Sequence, residues 1–381
     1  MSWESLAGAV SLIIWLVLWL GHGGFWRTRT APLPENPRAW PAVAAVIPAR
    51  NEAEAIGNAV SSLLTQDYKG RVSVIVVDDE STDGTGDLAR HAAAAVGASN
   101  RLTIIQGSAT PSGWTGKMWA VAQGVEKAGE TEPEARYVLL TDGDIRHSSR
   151  NLAHLVARAE AGSFDLTSLM VRLRCESPAE RMLIPAFVFF FQMLYPFPDV
   201  NDPRKPVAAA AGGCMLVRRV ALERIGGIGA IRGALIDDCA LAAAIKPGGP
   251  IWLGLTNEAQ SLRIYGEIGD VWRMIARSAY TQLNYSPMLL AGTVLGLGLT
   301  FIAPPVLFLF CHGLACGFGL VAWIIMAGCY MPMLRFYGRS IWWAPLLPVV
   351  AMVYLGATLD SALRYVQGKG GAWKGRIQAP Q

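Results

Sequence analysis

Charge is scarce in this chain. Only 16% of its 381 residues are Asp, Glu, Lys or Arg and 52% are hydrophobic, whereas a soluble domain carries about a quarter charged residues, so part of the molecule is expected in lipid. Cysteine is sparse as well. The six (Cys175, Cys214, Cys239, Cys311, Cys316, Cys329) include no Cys-x-x-Cys pair, and half lie in apolar stretches. A disulfide framework is therefore not expected, which suits a reducing compartment. The net charge of +4 is too small to imply a nucleic-acid partner, and a basic membrane-facing rim accounts for it. No internal repeat or low-complexity segment is visible.

Three long runs carry no charge at all: residues 6–26, 286–334 and 341–359. The first is long enough to cross a hydrocarbon core of about 30 Å at about 1.5 Å per residue. It lacks the basic start and small-x-small end of a cleaved signal peptide, so 1–26 reads as a retained transmembrane anchor. Arg27, Arg29 and Arg38 follow it, which places the central region in the cytoplasm and the N-terminus outside. Residues 286–363 read as a membrane region of two or three helices, followed by a basic tail, 364–381. Three crossings would put that tail outside, against its Arg364, Lys369, Lys374 and Arg376. Either one segment is re-entrant or interfacial, or the charge rule fails here.

Between the apolar ends, Pro32, Pro34, Pro37 and Pro41 punctuate a linker, 27–42, and residues 43–47 read as a buried strand. Apolar runs at 72–77, 102–105 and 137–140 alternate with helical periodicity over 54–66 and 83–96. This pattern predicts an α/β domain over 43–285, with a mainly parallel, Rossmann-like sheet covered on both faces. Ligands of such sheets collect at the carboxyl ends of the strands. Asn51 and Glu52 follow the first run, Asp78 and Asp79 end the second, and Asp142 and Asp144 follow the fourth.

Asp-Gly-Asp also makes ordinary turns, but behind a buried strand Asp142 and Asp144 can hold Mg²⁺ or Mn²⁺ against a diphosphate. Asp237-Asp238 precedes an apolar helical run at 241–245. One acid of that pair can cap the helix while the other takes the proton of an attacking hydroxyl. Asp238 is favoured as base and Asp237 as support, with the choice between them open. The turn carrying Pro48, Arg50 and Glu52, together with Asp79, stands where a base and ribose can be gripped. Glu52 reads equally well as a charge favoured by a helix start, and Ser81 or Asp83 as a cap. Lys117, in Gly113-Trp114-Thr115-Gly116-Lys117, is a diphosphate partner at a helix start or else a surface lysine; the spacing is not that of a P-loop. His147 is expected to be a core or solvent-facing histidine. Residues 227–233 mimic a dinucleotide fingerprint but follow a helix, and read as a flexible loop on the acceptor side. The aromatic run 184–197 is too short to span, and packs in a core or lines a path for a lipid. Residues 271–277 read as an amphipathic helix on the headgroups.

In this order, Val46-Ile47-Pro48-Ala49-Arg50-Asn51-Glu52, Val77-Asp78-Asp79-Glu80-Ser81-Thr82-Asp83-Gly84-Thr85, Asp142-Gly143-Asp144 and Asp237-Asp238-Cys239-Ala240-Leu241 resemble the family 2 glycosyltransferases of GT-A fold. The resemblance implies that Asp79 meets the uracil end of a UDP-sugar and that Asp142 and Asp144 serve diphosphate and metal. It matches Asp238 to the Asp of the family's Glu-Asp base motif, with Asp237 where Glu is usual. Gly113 to Lys117, Ser168 to Ser177, Phe187 to Phe197 and Gly233 to Leu241 look like the hopene-associated glycosyltransferases of bacterial hopanoid gene clusters. The Gln-x-x-Arg-Trp signature of processive synthases is missing; Trp272-Arg273 stands in the reverse order. The expectation is inverting, metal-dependent transfer of a single sugar from a UDP-sugar to a hydroxyl of a membrane lipid, hopanoid or polyisoprenoid, at the bacterial inner membrane. The alternatives are a polyprenyl-phosphate sugar synthase and a non-catalytic membrane scaffold.

Overall fold

Short, nearly continuous apolar runs favour strands buried on both faces, and eight strands assemble into one sheet. The computed structural model describes residues 2–30 and 32–370, and the backbone of 372–373 and 376–377. Lys374 of the basic tail lies outside the described residues, as does the side chain of Arg376. The strands are β1 (Val43–Ala49), β2 (Val72–Asp78), β3 (Leu102–Gln106), β4 (Tyr137–Leu140), β5 (Ile145–His147), β6 (Leu166–Arg172), β7 (Met215–Arg218) and β8 (Ile251–Ser261), in the order β3-β2-β1-β4-β7-β6-β8-β5. β3, β2, β1 and β4 run parallel, as do β6 and β8, while β7 is antiparallel to both its neighbours and β5 to β8. The sheet is thus mixed, and its parallel half carries the polar strand ends.

Alternation within each strand divides the core into two layers. Ala44 and Val46 face one layer, and Val43, Ala45 and Ile47 the other. On the first face the helix Gly116–Thr131 approaches so closely that a Cβ at Gly124 would lie 2.4 Å from Val46 Cγ1 and 2.9 Å from Val77 Cγ2. Glycine there seats the helix against β1 and β2 and fixes the position of its N-terminal Lys117.

Among the described residues, four helices are long and apolar enough to cross a membrane: Trp3–Leu20, Pro287–Phe310, Gly313–Phe336 and Ile341–Val366. The aromatic run belongs to a fifth, Pro178–Leu194, which starts earlier than expected because Ser177 and Glu180 form a capping box. This helix plugs the junction between sheet and apolar helices. Phe189 meets Phe25 at 5.3 Å and Tyr330 at 5.2 Å, Phe190 meets Tyr354 at 4.8 Å, and the Tyr354 hydroxyl donates to Leu183 O. The amphipathic helix is Ile268–Ala276. Its Trp272 Nε1 donates to Asp360 Oδ2 at 2.7 Å, so it is tied to the last apolar helix.

Candidate active site

The polar ends of β1, β2 and β4 converge at one edge. Asp79 N–H donates to Ala49 O, and Thr141 N–H to Val46 O. Asn51 and Glu80, at the tips of β1 and β2, hold φ of 51° and 55°. Left-handed backbone outside glycine concentrates where function over-determines it. Here Asn51 N–H donates to Ser81 Oγ and Thr82 N–H to Asn51 Oδ1, so the two turns lock together. Asp79 is buried behind them, with Arg50 Nη1 donating to its carbonyl at 2.6 Å and lying 3.5 Å from its Oδ2. Arg50 Nε is buried without a hydrogen-bond partner, an orphaned donor beside the expected nucleoside site.

A cleft opens at this edge, lined by Pro48, Lys117, Asp142, Gly212 and Asp237 among others. Lys117 Nζ bridges Asp142 Oδ1 at 3.0 Å and Asp237 Oδ2 at 3.1 Å. Burial opposes its charge, but those two carboxylates outweigh it and hold the ammonium protonated. Thr115 caps this helix by accepting from Met118 N–H, and its own N–H donates to Arg232 O. The segment expected to be a flexible acceptor-side loop is therefore a packed turn, with Ile228 and Ile231 buried.

Asp237 and Asp238 do not precede their helix; they open it, as the first two residues of Asp237–Ile245. Ile236 holds the cap position and neither acid caps from outside, because the helix starts four residues before the apolar run. Asp238 Oδ2 accepts from Gly212 N–H at 2.9 Å and Oδ1 from Cys239 N–H at 2.8 Å. Burial and the neighbouring Asp237 carboxylate raise the Asp238 pKa to about 6, against the pull of Lys117 and of the two N–H groups. A carboxylate so placed is poised to take a proton near neutral pH.

Asp144 is buried, and its Oδ2 accepts from Arg263 Nε at 3.0 Å and Ser261 Oγ at 3.2 Å. Arg263 Nη2 reaches Glu52 Oε1 at 3.0 Å. Glu52 is thus held by a cation rather than placed in the first turn of a helix, since the next helix begins at Ile56. Arg263 escaped the sequence reading because the register of β5 on β8, Ile145 opposite Ser261, brings it here. Burial works against its charge, and Asp144 and Glu52 more than offset it. His147 is a buried core residue. Its ring bonds Asn151 and Thr141, and burial lowers its pKa to about 4.

Among the described residues no group of three or more His, Cys, Asp or Glu side chains could hold a metal. Asp142 and Asp144 are nevertheless hard oxygen donors at one strand end, and Mg²⁺-type sites commonly use one or two carboxylates with the remaining oxygens from substrate phosphate and water. Lys117 and Arg263 already sit on these same carboxylates, so the position attracts positive charge. The donor set fits a divalent cation that arrives with a diphosphate.

Residues 44–226 match the family model described as Glycosyl transferase family 2. Over this segment, a little under half of the chain, the sequence is similar to the family 2 glycosyltransferases. The protein is accordingly a glycosyltransferase. Its structure is similar to that of the mannosyltransferase PcManGT from Pyrobaculum calidifontis, solved with GDP-Man and Mn²⁺, at 17% identity and a TM-score of 0.57 over 95% of this chain and 98% of that one. Residues 1–349 of TarS from S. aureus, solved with UDP-GlcNAc, show 16% identity and a TM-score of 0.41 over 86% and 92%. The first likeness gives the fold, the mixed Rossmann-like GT-A sheet. No curated protein sequence matches the chain.

Proposed function

We propose that this glycosyltransferase moves one sugar from a UDP-sugar to the hydroxyl of a membrane lipid of hopanoid or other polyisoprenoid type, with inversion. The observation that carries the reading is the cluster in which Lys117 joins Asp142 to Asp237, with Asp238 beside them on the Gly212 N–H. Asp79 and Arg50 grip the nucleoside, while Pro48 and Glu52 shape the adjoining wall. Lys117 binds the diphosphate, and Asp142 and Asp144 hold the cation, as the GDP-Man and Mn²⁺ found in PcManGT make reasonable. When bound, the cation offsets charge growing on the leaving diphosphate. Asp238 accepts the proton of the lipid hydroxyl as its oxygen bonds to the anomeric carbon; the bond from that carbon to the diphosphate breaks on the opposite face, and UDP leaves. A carboxylate base suits an alcohol, whereas a lipid phosphate would arrive already ionised and need none.

Membranes containing the protein, incubated with labelled UDP-glucose or UDP-N-acetylglucosamine, are expected to transfer label into the lipid extract. Label found only in free sugar or polymer would contradict the reading.

The domain is proposed to lie on the cytoplasmic side of a bacterial inner membrane, with Arg364 and Lys369 on the same side. Both ends of the last apolar segment support this. At its start, Arg172 of β6 lies over Phe336 and Tyr337. At its end, Tyr365 stacks on Tyr285 at 4.4 Å and Asp360 accepts from Trp272. Between them Trp323 Nε1 donates to Pro345 O at 3.0 Å, midway along Gly313–Phe336. The segment dips to about mid-depth and returns to the face it left, which protein-covered apolar segments can do. The anchor and two later crossings then leave Arg339, Arg364 and Lys369 on the cytoplasmic side, in keeping with the charge rule. In a cysteine-free background, Lys369→Cys and Arg339→Cys are expected to react with an impermeant maleimide only in inside-out vesicles, and His312→Cys only in right-side-out ones. Labelling of Lys369→Cys from the outer side would overturn this topology.

A further inference from the structure

Asp144 and Glu52 follow different strands, β4 and β1, yet one side chain holds both. Arg263 Nε donates to Asp144 Oδ2 at 3.0 Å, and Arg263 Nη2 donates to Glu52 Oε1 at 3.0 Å. The two acids close around the turn between the aspartates, where a Cβ at Gly143 would lie 3.3 Å from Glu52 Cγ. Ser261 Oγ is a second donor to Asp144 Oδ2, at 3.2 Å. That oxygen is engaged by the protein itself.

The segment that carries the guanidinium is anchored on both sides of it. Leu262 N–H donates to Asp144 O at 2.8 Å, while Tyr265 N–H donates to Glu180 Oε1 at 2.8 Å and Tyr265 O accepts from Ser177 Oγ. Glu180 is fully buried, and it also accepts from Arg174 Nη1 and from the N–H groups of Glu176 and Ser177. A buried carboxylate with several charge-assisted bonds is costly to shift. Arg263 is thus a built-in partner of Asp144 and Glu52, held from the start of the aromatic helix.

This has a consequence for a divalent cation. One bound by Asp144 would share its carboxylate with the guanidinium, and two positive groups a few ångströms apart repel strongly where solvent is scarce. Negative charge brought in with the cation relieves that repulsion, and a diphosphate supplies it. Lys117 on Asp142 sets the same condition at the other aspartate.

We infer that Arg263 is the resident counter-cation of this site: it balances Asp144 and Glu52 before the donor binds, and it makes divalent-cation binding conditional on the diphosphate. The inference rests on the proposed metal and donor reading and names a positioning residue for it. Its ligand is a nucleoside diphosphate and its cation taken up as one unit.

Mn²⁺ binding to the purified full chain in detergent, read from the loss of the free-ion electron paramagnetic resonance signal, tests this with no turnover. In the wild type UDP is expected to tighten Mn²⁺ binding by about 50-fold or more, and Arg263→Met is expected to bind Mn²⁺ without UDP at least about tenfold more tightly than the wild type. The gain from UDP shrinks accordingly. Arg263→Lys keeps a cation on the two acids, so its Mn²⁺ binding without UDP should stay close to that of the wild type. A role confined to holding the loop in shape predicts the opposite sign, weaker Mn²⁺ binding in both variants. Unchanged or weaker binding in Arg263→Met overturns the inference, as does equal tightening in Arg263→Lys. Wild-type protein that binds Mn²⁺ equally well with and without UDP overturns it too, and that measurement needs no variant to fold. Wild-type protein that binds no Mn²⁺ even with UDP would instead remove the metal reading on which the inference rests.

Discussion

Asp238→Asn is expected to lower sugar transfer by about 10³-fold or more, equivalent to about 4 kcal/mol of lost transition-state stabilisation, with donor binding retained. The side chain keeps its shape and its oxygen can still accept from Gly212 N–H, though not also from Cys239 N–H, so retained donor binding shows that the loss reports the missing proton acceptor and not a collapsed cleft. The pH dependence carries a sign that can be checked. Because the base works as a carboxylate and its pKa is raised to about 6, kcat/KM should hold above pH 6 and fall about tenfold per unit below it. Asp237→Asn removes the neighbouring charge that raises Asp238, so the acid limb moves to lower pH. Lys117→Met removes the cation that opposes that rise, so the limb moves to higher pH, in addition to a weaker grip on the diphosphate. Opposite shifts from the two partners of one ion pair would assign the base to Asp238. An acid limb unmoved by either change would assign it elsewhere.

The second large effect is expected at the strand end of β4. Asp142→Asn and Asp144→Asn should each weaken divalent-dependent UDP binding by at least about 100-fold, beyond the 10- to 100-fold typical of residues that only support a metal ligand. The two variants should differ in another respect. Asp142 is half-exposed and shares Lys117 with Asp237, so its loss leaves Lys117 paired and the fold undisturbed. Asp144 is buried against Arg263, so its loss also releases a guanidinium that then keeps only Glu52. A lower melting temperature is expected for Asp144→Asn than for Asp142→Asn, read by thermal unfolding in detergent.

Much of this site is local in sequence. Asp79, Asp142 and Asn51 each stand where an apolar run stops, and the rule that ligands gather at strand ends needs no knowledge of tertiary contacts. The same holds for the core of β1, β2 and β4, whose bounds follow from hydrophobicity alone. What could not be read depends on register and docking. Arg263 reaches Asp144 only because β8 returns antiparallel to β5, and its loop is fixed by Tyr265 N–H donating to Glu180. Gly212 carries no side chain to advertise its bond to Asp238. The start of the aromatic helix was legible, since Ser177 and Glu180 have the spacing of a capping box, but the run of phenylalanines drew the boundary too late. Length and apolarity cannot separate a crossing from a segment that turns back, so the path proposed for the last apolar helix rests on the partners of Tyr337, Pro345 and Tyr365.

The account stands on one claim: carboxylates from separate elements surround a single nucleotide diphosphate and its cation. Electron–nuclear double resonance of Mn²⁺ bound to the wild-type protein with UDP tests it directly. The account predicts ³¹P couplings from the diphosphate on a protein-bound Mn²⁺, lost in both Asp142→Asn and Asp144→Asn and kept in Asp238→Asn. Couplings that survive in the first two variants, or Mn²⁺ binding with no ³¹P coupling in the wild type, would contradict it.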